Sequence, residues 1–120
     1  MLVDRWKWKR VRDAALGALS EGGIHRNTVD GLPICWVKQD GRLHALVDRC
    51  PHQGAALSHG WCADGLLVCP IHRYRCDPAT GRGLDGEGER AEVLPVDVRP
   101  DGVYLGRQTV GLRLFGLDIF

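Results

Sequence analysis

The chain has 120 residues and a mass of 13.3 kDa, with 44% apolar and 26% charged side chains. That size accommodates one hydrophobic core, and the composition is ordinary for a globular protein, which excludes a disordered chain. The 16 Lys and Arg residues against 15 Asp and Glu residues give a net charge of +1. We therefore expect no nucleic-acid and no membrane partner, because the chain has no excess of positive charge to attract a nucleic acid or an anionic membrane.

No apolar run approaches the roughly 20 residues that a transmembrane helix needs. The first residues, Met1-Leu2-Val3-Asp4, do not open an apolar stretch long enough for a signal peptide. We therefore expect a cytoplasmic protein. The chain has five cysteines, and a reducing compartment disfavours disulfides, so metal binding is the first role to consider for them.

Alternation of apolar and polar residues predicts short strands along the first half of the chain. The first strand covers residues 6–11 and is followed by a short helical turn or a loop over 13–22. Three further strand-like runs lie at residues 25–29, 32–38 and 42–48. They are separated by Asp30-Gly31 and Asp40-Gly41, which are strong hairpin signals because Gly tolerates a positive φ.

The second half of the chain is less regular. Residues 49–83 lose the alternation and contain four of the five cysteines, and residues 81–88 form a glycine-rich acidic loop. Residues 91–99 and 103–107 predict one more hairpin. The C-terminal apolar tail, residues 108–120, is interpreted as an edge strand or as a surface that packs on a partner.

The segment most informative about chemistry is Cys50-Pro51-His52, followed after sixteen residues by Cys69-Pro70-Ile71-His72. Each loop offers one thiolate and one imidazole. Two such loops that face each other supply the donor set of a [2Fe–2S] cluster in which two Cys bind one iron and two His bind the other. A structural Cys₂His₂ zinc protein is the alternative, although zinc sites usually pair Cys with Cys and His with His along the chain.

These residues resemble the Rieske iron–sulfur family. The resemblance lies in Cys50-Pro51-His52-Gln53-Gly54-Ala55-Ala56-Leu57, in Cys69-Pro70-Ile71-His72-Arg73-Tyr74-Arg75-Cys76-Asp77 and in Thr80-Gly81, and with the flanking strands it covers residues 5–107. It implies that Cys50 and Cys69 bind one iron and that His52 and His72 bind the other, exposed iron. It also implies an all-β fold, an antiparallel β-sandwich with a small cluster-binding subdomain. We expect a single domain, 1–120, with ligand loops at 49–58 and 68–77.

Two departures from the high-potential members of that family bear on the reduction potential. Those members carry an additional disulfide between the loops, at positions that are Ala55 and Ile71 here. They also place a Tyr hydroxyl near a ligand sulfur, at a position that is Cys76 here, and a thiol is a much weaker donor. The resemblance therefore implies a potential near the low end of the Rieske range of about −150 to +300 mV.

By this resemblance the chain is a stand-alone ferredoxin rather than an enzyme, and no catalytic residue is expected. Its partners would be a flavin- or NAD(P)H-dependent reductase and a terminal oxygenase or reductase, for example in a dioxygenase system. One alternative is the small Rieske-like subunit of a cytoplasmic nitrite reductase-type complex, with the tail at 108–120 mediating association, including a homo-oligomer. Another is an oxidation sensor. Of the remaining cysteines, we expect Cys35 to be buried in a strand, Cys62 to be a spare thiol and Cys76 to pack beneath the second loop.

Overall fold

The structure is a computed structural model and describes residues 2–51, 54–71, 74–84 and 90–112. Nearly all of the regular structure in these residues consists of β-strands, and every strand pairing among them is antiparallel. The all-β antiparallel fold predicted from the sequence is confirmed. In chain order the elements are β1 (Leu2–Val11), α1 (Ala14–Gly17), β2 (Ile24–Val29), β3 (Leu32–Gln39), β4 (Arg42–Val47), a 3₁₀ turn (Leu57–His59), β5 (Trp61–Ala63), β6 (Leu66–Val68), β7 (Arg75–Cys76), β8 (Val93–Leu94), β9 (Val96–Arg99) and β10 (Gly102–Leu112).

The chain divides into two compact units. One unit combines the first twelve residues with the segment from Pro95 onward, and it contains the three-stranded sheet β1-β10-β9. The other unit runs from Asp13 to Leu94 and contains the four-stranded sheet β2-β3-β4-β8 and the three-stranded sheet β5-β6-β7. All residues of the two predicted ligand loops belong to this second unit.

Asp-Gly pairs turn the chain between neighbouring strands. Asp30 and Gly31 have φ angles of 51° and 79°, and Asp40 and Gly41 have φ angles of 54° and 73°. Positive φ at both central residues is the signature of the type I′ hairpin, whose twist matches that of the flanking strands. Asp64-Gly65 makes the same turn between β5 and β6, with φ angles of 53° and 79°, although the alternation pattern did not predict a hairpin there.

The core of the second unit lies around β3 and the strands of the small sheet. Four consecutive residues of β3, from Ile34 to Val37, have no exposed surface, so the strand is buried on both faces rather than alternating. Cys35 and Val37 belong to a buried apolar cluster that reaches into both ligand loops. Its other members are Leu46, Cys50, Leu57, Leu67, Cys69, Tyr74, Cys76 and Ala91.

The predicted strand at residues 91–99 is divided by Pro95. Residues Val93–Leu94 form β8, which pairs with β4, whereas Val96–Arg99 form β9, which pairs with β10. Proline has no backbone N–H to donate to a ladder, so it favours a break in a strand. The Pro95 carbonyl still accepts the N–H of Gly106, at 2.9 Å. The predicted hairpin to residues 103–107 is confirmed for β9 and β10.

At the N-terminal side of the second unit, residues 13–22 form a single helical turn, α1, with a connecting loop. Asp13 caps this turn, since its Oδ1 accepts the N–H of Ala15 at 3.0 Å. Its Oδ2 contacts His25 Nε2 at 2.7 Å and Asn27 Nδ2 at 3.0 Å, both on β2. The described residues contain no helix that is long and apolar enough to cross a membrane.

Candidate metal centre

The first ligand loop folds back on itself directly after Cys50. The N–H of Cys50 donates to the Ala55 carbonyl at 2.6 Å, and the N–H of Gly54 donates to the Cys50 carbonyl at 2.8 Å. Gly54 has a φ of +74°, which L side chains rarely adopt. Cys50 itself is fully buried. The backbone therefore holds this cysteine in a closed turn.

The second ligand loop begins where β6 ends, at Cys69. The N–H of Cys69 donates to the Tyr74 carbonyl at 2.7 Å, so the loop is closed by a backbone bond between its first residue and the residue before β7. Cys69 and Tyr74 are both buried in the core cluster. The two loops thus have the same design, with a buried cysteine at the start and a backbone hydrogen bond across the base.

The two loops bring the sulfurs of Cys50 and Cys69 within hydrogen-bonding reach of each other. Burial raises the pKa of Cys69, the N–H of Ile71 lowers it by donating to the Cys69 sulfur, and the neighbouring Cys50 thiol raises it again. A pair of buried sulfurs, one of them already accepting a backbone N–H, is a donor set that fits an iron held by two thiolates. Binding of the metal requires that both thiols lose their protons.

Both predicted histidine ligands, His52 and His72, lie outside the described residues. In the parts of the chain that the structure does describe, no group of three or more His, Cys, Asp or Glu side chains is arranged to hold a metal ion. The structure therefore brings together two of the four predicted ligands, Cys50 and Cys69. The assignment of the two histidines stays a prediction.

The three remaining cysteines lie near the ligand loops but in different environments. Cys35 and Cys76 have no exposed surface, whereas Cys62 is partly exposed. Burial raises the pKa of Cys35, and it raises the pKa of Cys76 to about 12. The sequence-based expectation of a buried Cys35 is confirmed. Cys76 lies opposite Leu67 in the β6–β7 ladder.

Asp48 is a residue of the site that the sequence pattern did not reveal. Its side chain has no exposed surface. Its Oδ1 accepts the N–H of Ser58 at 2.7 Å, its Oδ2 accepts the Ser58 hydroxyl at 2.6 Å, and Arg26 Nε lies 3.0 Å from the same Oδ2. No local sequence pattern indicates these contacts, because Asp48 and Ser58 are ten residues apart and Arg26 is on another strand.

The turn after the second loop is built around Asp77 and Gly81. The Asp77 carboxylate accepts the N–H of Ala79 at 2.9 Å, and the Asp77 carbonyl accepts the N–H of Gly81 at 2.7 Å. A side chain on Gly81 would overlap the Ala91 carbonyl oxygen, and its φ of +74° independently favours glycine. This turn therefore has a physical requirement for Gly81, one of the residues that carry the resemblance.

Comparison with known proteins gives the family of the chain. The family model described as the Rieske [2Fe-2S] domain matches residues 8–98. The chain belongs to the Rieske [2Fe-2S] domain family. Its cofactor is accordingly a [2Fe–2S] cluster, and the resemblance found in the sequence is confirmed.

Several similar proteins are ferredoxin components of oxygenase systems. The chain is 31% identical to the ferredoxin component of the naphthalene 1,2-dioxygenase system of Pseudomonas putida, over 65% of this chain and 73% of that one. It is 32% identical to the ferredoxin component of the alkene monooxygenase system of Xanthobacter autotrophicus, over 62% of each chain. Among solved structures, it matches a chain in the complex of reduced oxygenase and oxidized ferredoxin of carbazole 1,9a-dioxygenase. That match has a TM-score of 0.69 and 27% identity, and it covers 82% of this chain and 91% of the other.

Proposed function

We propose that the chain is the ferredoxin component of an oxygenase system and carries one electron from a reductase to a terminal oxygenase. The naphthalene dioxygenase and alkene monooxygenase relatives support this role, because both are ferredoxin components and not catalytic subunits. The carbazole dioxygenase structure supports an oxygenase as the acceptor, since in it a ferredoxin is in complex with an oxygenase. We further propose a flavin- or NAD(P)H-dependent reductase as the donor and the cytoplasm as the compartment.

We propose that Cys50 and Cys69 bind one iron of the cluster and that His52 and His72 bind the other. The observation that carries this proposal is the approach of two buried sulfurs from two separate loops. Each of these loops also contains a histidine, two residues after Cys50 and three residues after Cys69. When bound, the cluster supplies reversible one-electron chemistry.

The protein's own residues control the environment of that chemistry. Burial of Cys50 and Cys69 keeps water from the two sulfurs, and limited solvent access is one of the factors that set the potential of such a site. The N–H of Ile71 donates to the Cys69 sulfur and so stabilises negative charge on it. The short backbone bonds at the base of each loop hold both cysteines in place before an electron arrives.

The C-terminal tail is the segment that we propose for association with other copies of the chain. Its residues 108–112 are part of β10 and pair with β1, while residues 113–120 lie outside the described part of the chain. We propose the tail as the surface for a homo-oligomer. Comparison of the association state of the full chain with that of a chain lacking residues 113–120, by analytical ultracentrifugation, tests this proposal.

The test of the electron-carrier function begins with anaerobically purified protein. We expect two irons and two acid-labile sulfides per chain, a coloured oxidised state, and the electron paramagnetic resonance signal of a mixed Cys and His cluster after reduction. Electron transfer is then followed by stopped-flow absorbance with NADH and with the reductase and oxygenase components of a naphthalene dioxygenase system. A colourless protein that contains zinc and no sulfide would show that the Cys₂His₂ zinc alternative is right.

A further inference from the structure

The first ligand loop is bracketed by two residues that bind each other. Asp48 immediately follows β4 and precedes the first ligand loop, and Ser58 lies in the 3₁₀ turn at the end of that loop. The Asp48 carboxylate accepts both the backbone N–H and the hydroxyl of Ser58, at 2.7 and 2.6 Å. These bonds therefore join the two ends of the segment that carries Cys50. Cys50 is two residues from the joint.

This joint is also fixed to the large sheet of the same unit. The N–H of Asp48 donates to the Pro33 carbonyl at the start of β3, at 3.0 Å. Arg26, on β2, places its Nε 3.0 Å from Asp48 Oδ2. An isolated carboxylate is costly to bury, and this one has three donors, one of which is a cation. The arrangement ties the start of the loop to the rigid part of the unit.

We propose that Asp48, Ser58 and Arg26 form a clamp that positions Cys50 for the cluster. The proposal rests on the proposed function of Cys50 as an iron ligand. Asp48 and Ser58 hold the loop closed, and Arg26 balances the charge of the buried carboxylate. All three are positioning residues, since they act on the site through the loop that carries Cys50.

The two charged members of the clamp affect the reduction potential in opposite directions. Alpha carbons two residues apart are separated by about 7 Å at most, so the Asp48 charge lies close to Cys50. Reduction adds one negative charge at the site, and a nearby carboxylate opposes this whereas a nearby guanidinium favours it. Loss of the Asp48 charge therefore raises the potential, and loss of the Arg26 charge lowers it.

The experiment uses holoprotein purified anaerobically and measures the rate of iron release to a chelator and the reduction potential. Ser58→Ala removes the hydroxyl and is expected to release iron about tenfold faster, as hydrogen bonds to a charged group contribute that order of stability. Ser58→Thr keeps the hydroxyl and is expected to restore slow release. Asp48→Asn is expected to raise the potential and Arg26→Gln to lower it. The matched controls are Ser20→Ala and Arg42→Gln, both at exposed positions, and they are expected to match the wild type.

Wild-type rates of iron release in Ser58→Ala would overturn the clamp, and so would potentials that move in the same direction in Asp48→Asn and Arg26→Gln. A lower melting temperature with unchanged iron release and potential would also overturn it, because that result describes a purely structural contact. Arg26 is half exposed, at 51%, so Arg26→Gln tests the clamp even if Ser58→Ala does not fold. A wild-type protein without iron and sulfide refutes the proposed function itself, and with it the clamp. If only the clamp proposal is wrong, the wild-type protein contains iron and sulfide, and the contradicting results appear only in the variants.

Discussion

Gly60 packs so closely against Val68 that a Cβ at position 60 would overlap the Val68 carbonyl oxygen. Gly60 follows the 3₁₀ turn at the end of the first ligand loop, and Val68 directly precedes Cys69. The contact therefore joins the segments that carry the two proposed ligand cysteines, Cys50 and Cys69. The φ of Gly60 is −87°, so the requirement for glycine there is one of space and not of backbone conformation.

Gly60→Ala is expected to lower the free energy of unfolding by about 1–3 kcal/mol, because the new methyl group must displace backbone atoms. Gly17→Ala is the matched control. Gly17 is in α1, and a Cβ added there would have nothing within 4 Å, so the change is expected to stabilise the protein by about 0.4–1 kcal/mol. Urea unfolding measures both. Equal effects of the two substitutions would contradict the close approach of Gly60 and Val68.

His72→Cys is expected to remove the electron paramagnetic resonance signature of a mixed-ligand cluster, because one imidazole is replaced by a thiolate. The control is His44→Cys, on β4, where the added thiol is expected to leave the spectrum unchanged. The measurement is made on reduced, anaerobically purified protein. An unaltered spectrum in His72→Cys would show that His72 does not bind iron.

The three cysteines that are not proposed as ligands are expected to react with iodoacetamide at different rates at pH 8. The thiolate is the reactive form, and burial raises the pKa of Cys76 to about 12 and also raises that of Cys35. The partly exposed Cys62 is expected to be alkylated first. Peptide mass spectrometry over time gives the order. Faster labelling of Cys76 than of Cys62 in the folded protein would contradict the burial of Cys76.

Asp13→Ala is expected to cost about 1 kcal/mol of the free energy of unfolding at pH 7, since it removes the cap of α1. Hydrogen bonds from Asn27 and His25 lower the pKa of Asp13 below its usual 3.8. A depressed pKa in the folded state stabilises the protein above the unfolded value, and this contribution is lost as the pH falls through the folded value. The difference between wild type and Asp13→Ala is thus expected to shrink below pH 3.8, as followed by urea unfolding across that range. A constant difference would show that the carboxylate charge plays no part.

The hairpins around β3 follow from the sequence because Asp-Gly pairs and alternation agree there. Asp64-Gly65 escaped prediction because the flanking strands have only three residues each, too few for alternation to be recognised. The break at Pro95 was missed because apolar residues continue on both sides of it. A proline between two strands does not indicate which sheet each of the two strands joins.

The sequence predicts candidate ligands for the site but not the contacts that hold the ligand loops in place. Cys50 and Cys69 are found by their spacing to a histidine, a property of consecutive residues. The contacts of Asp48 with Ser58 and Arg26 depend on how three separate segments meet in space. Such contacts produce no repeating pattern in a single sequence, so only the folded structure shows them.

The base of the glycine-rich segment is held by its own backbone. Ala91 donates its N–H to the Gly81 carbonyl at 2.8 Å, and Arg82 and Arg90 form a β-bridge. A connection whose ends are fixed in this way tolerates added residues at small entropic cost, about 0.6 kcal/mol for each doubling of its length. Because these ends are fixed, an epitope or a fluorophore attachment sequence inserted between Leu84 and Arg90 is expected to leave the two proposed ligand loops intact.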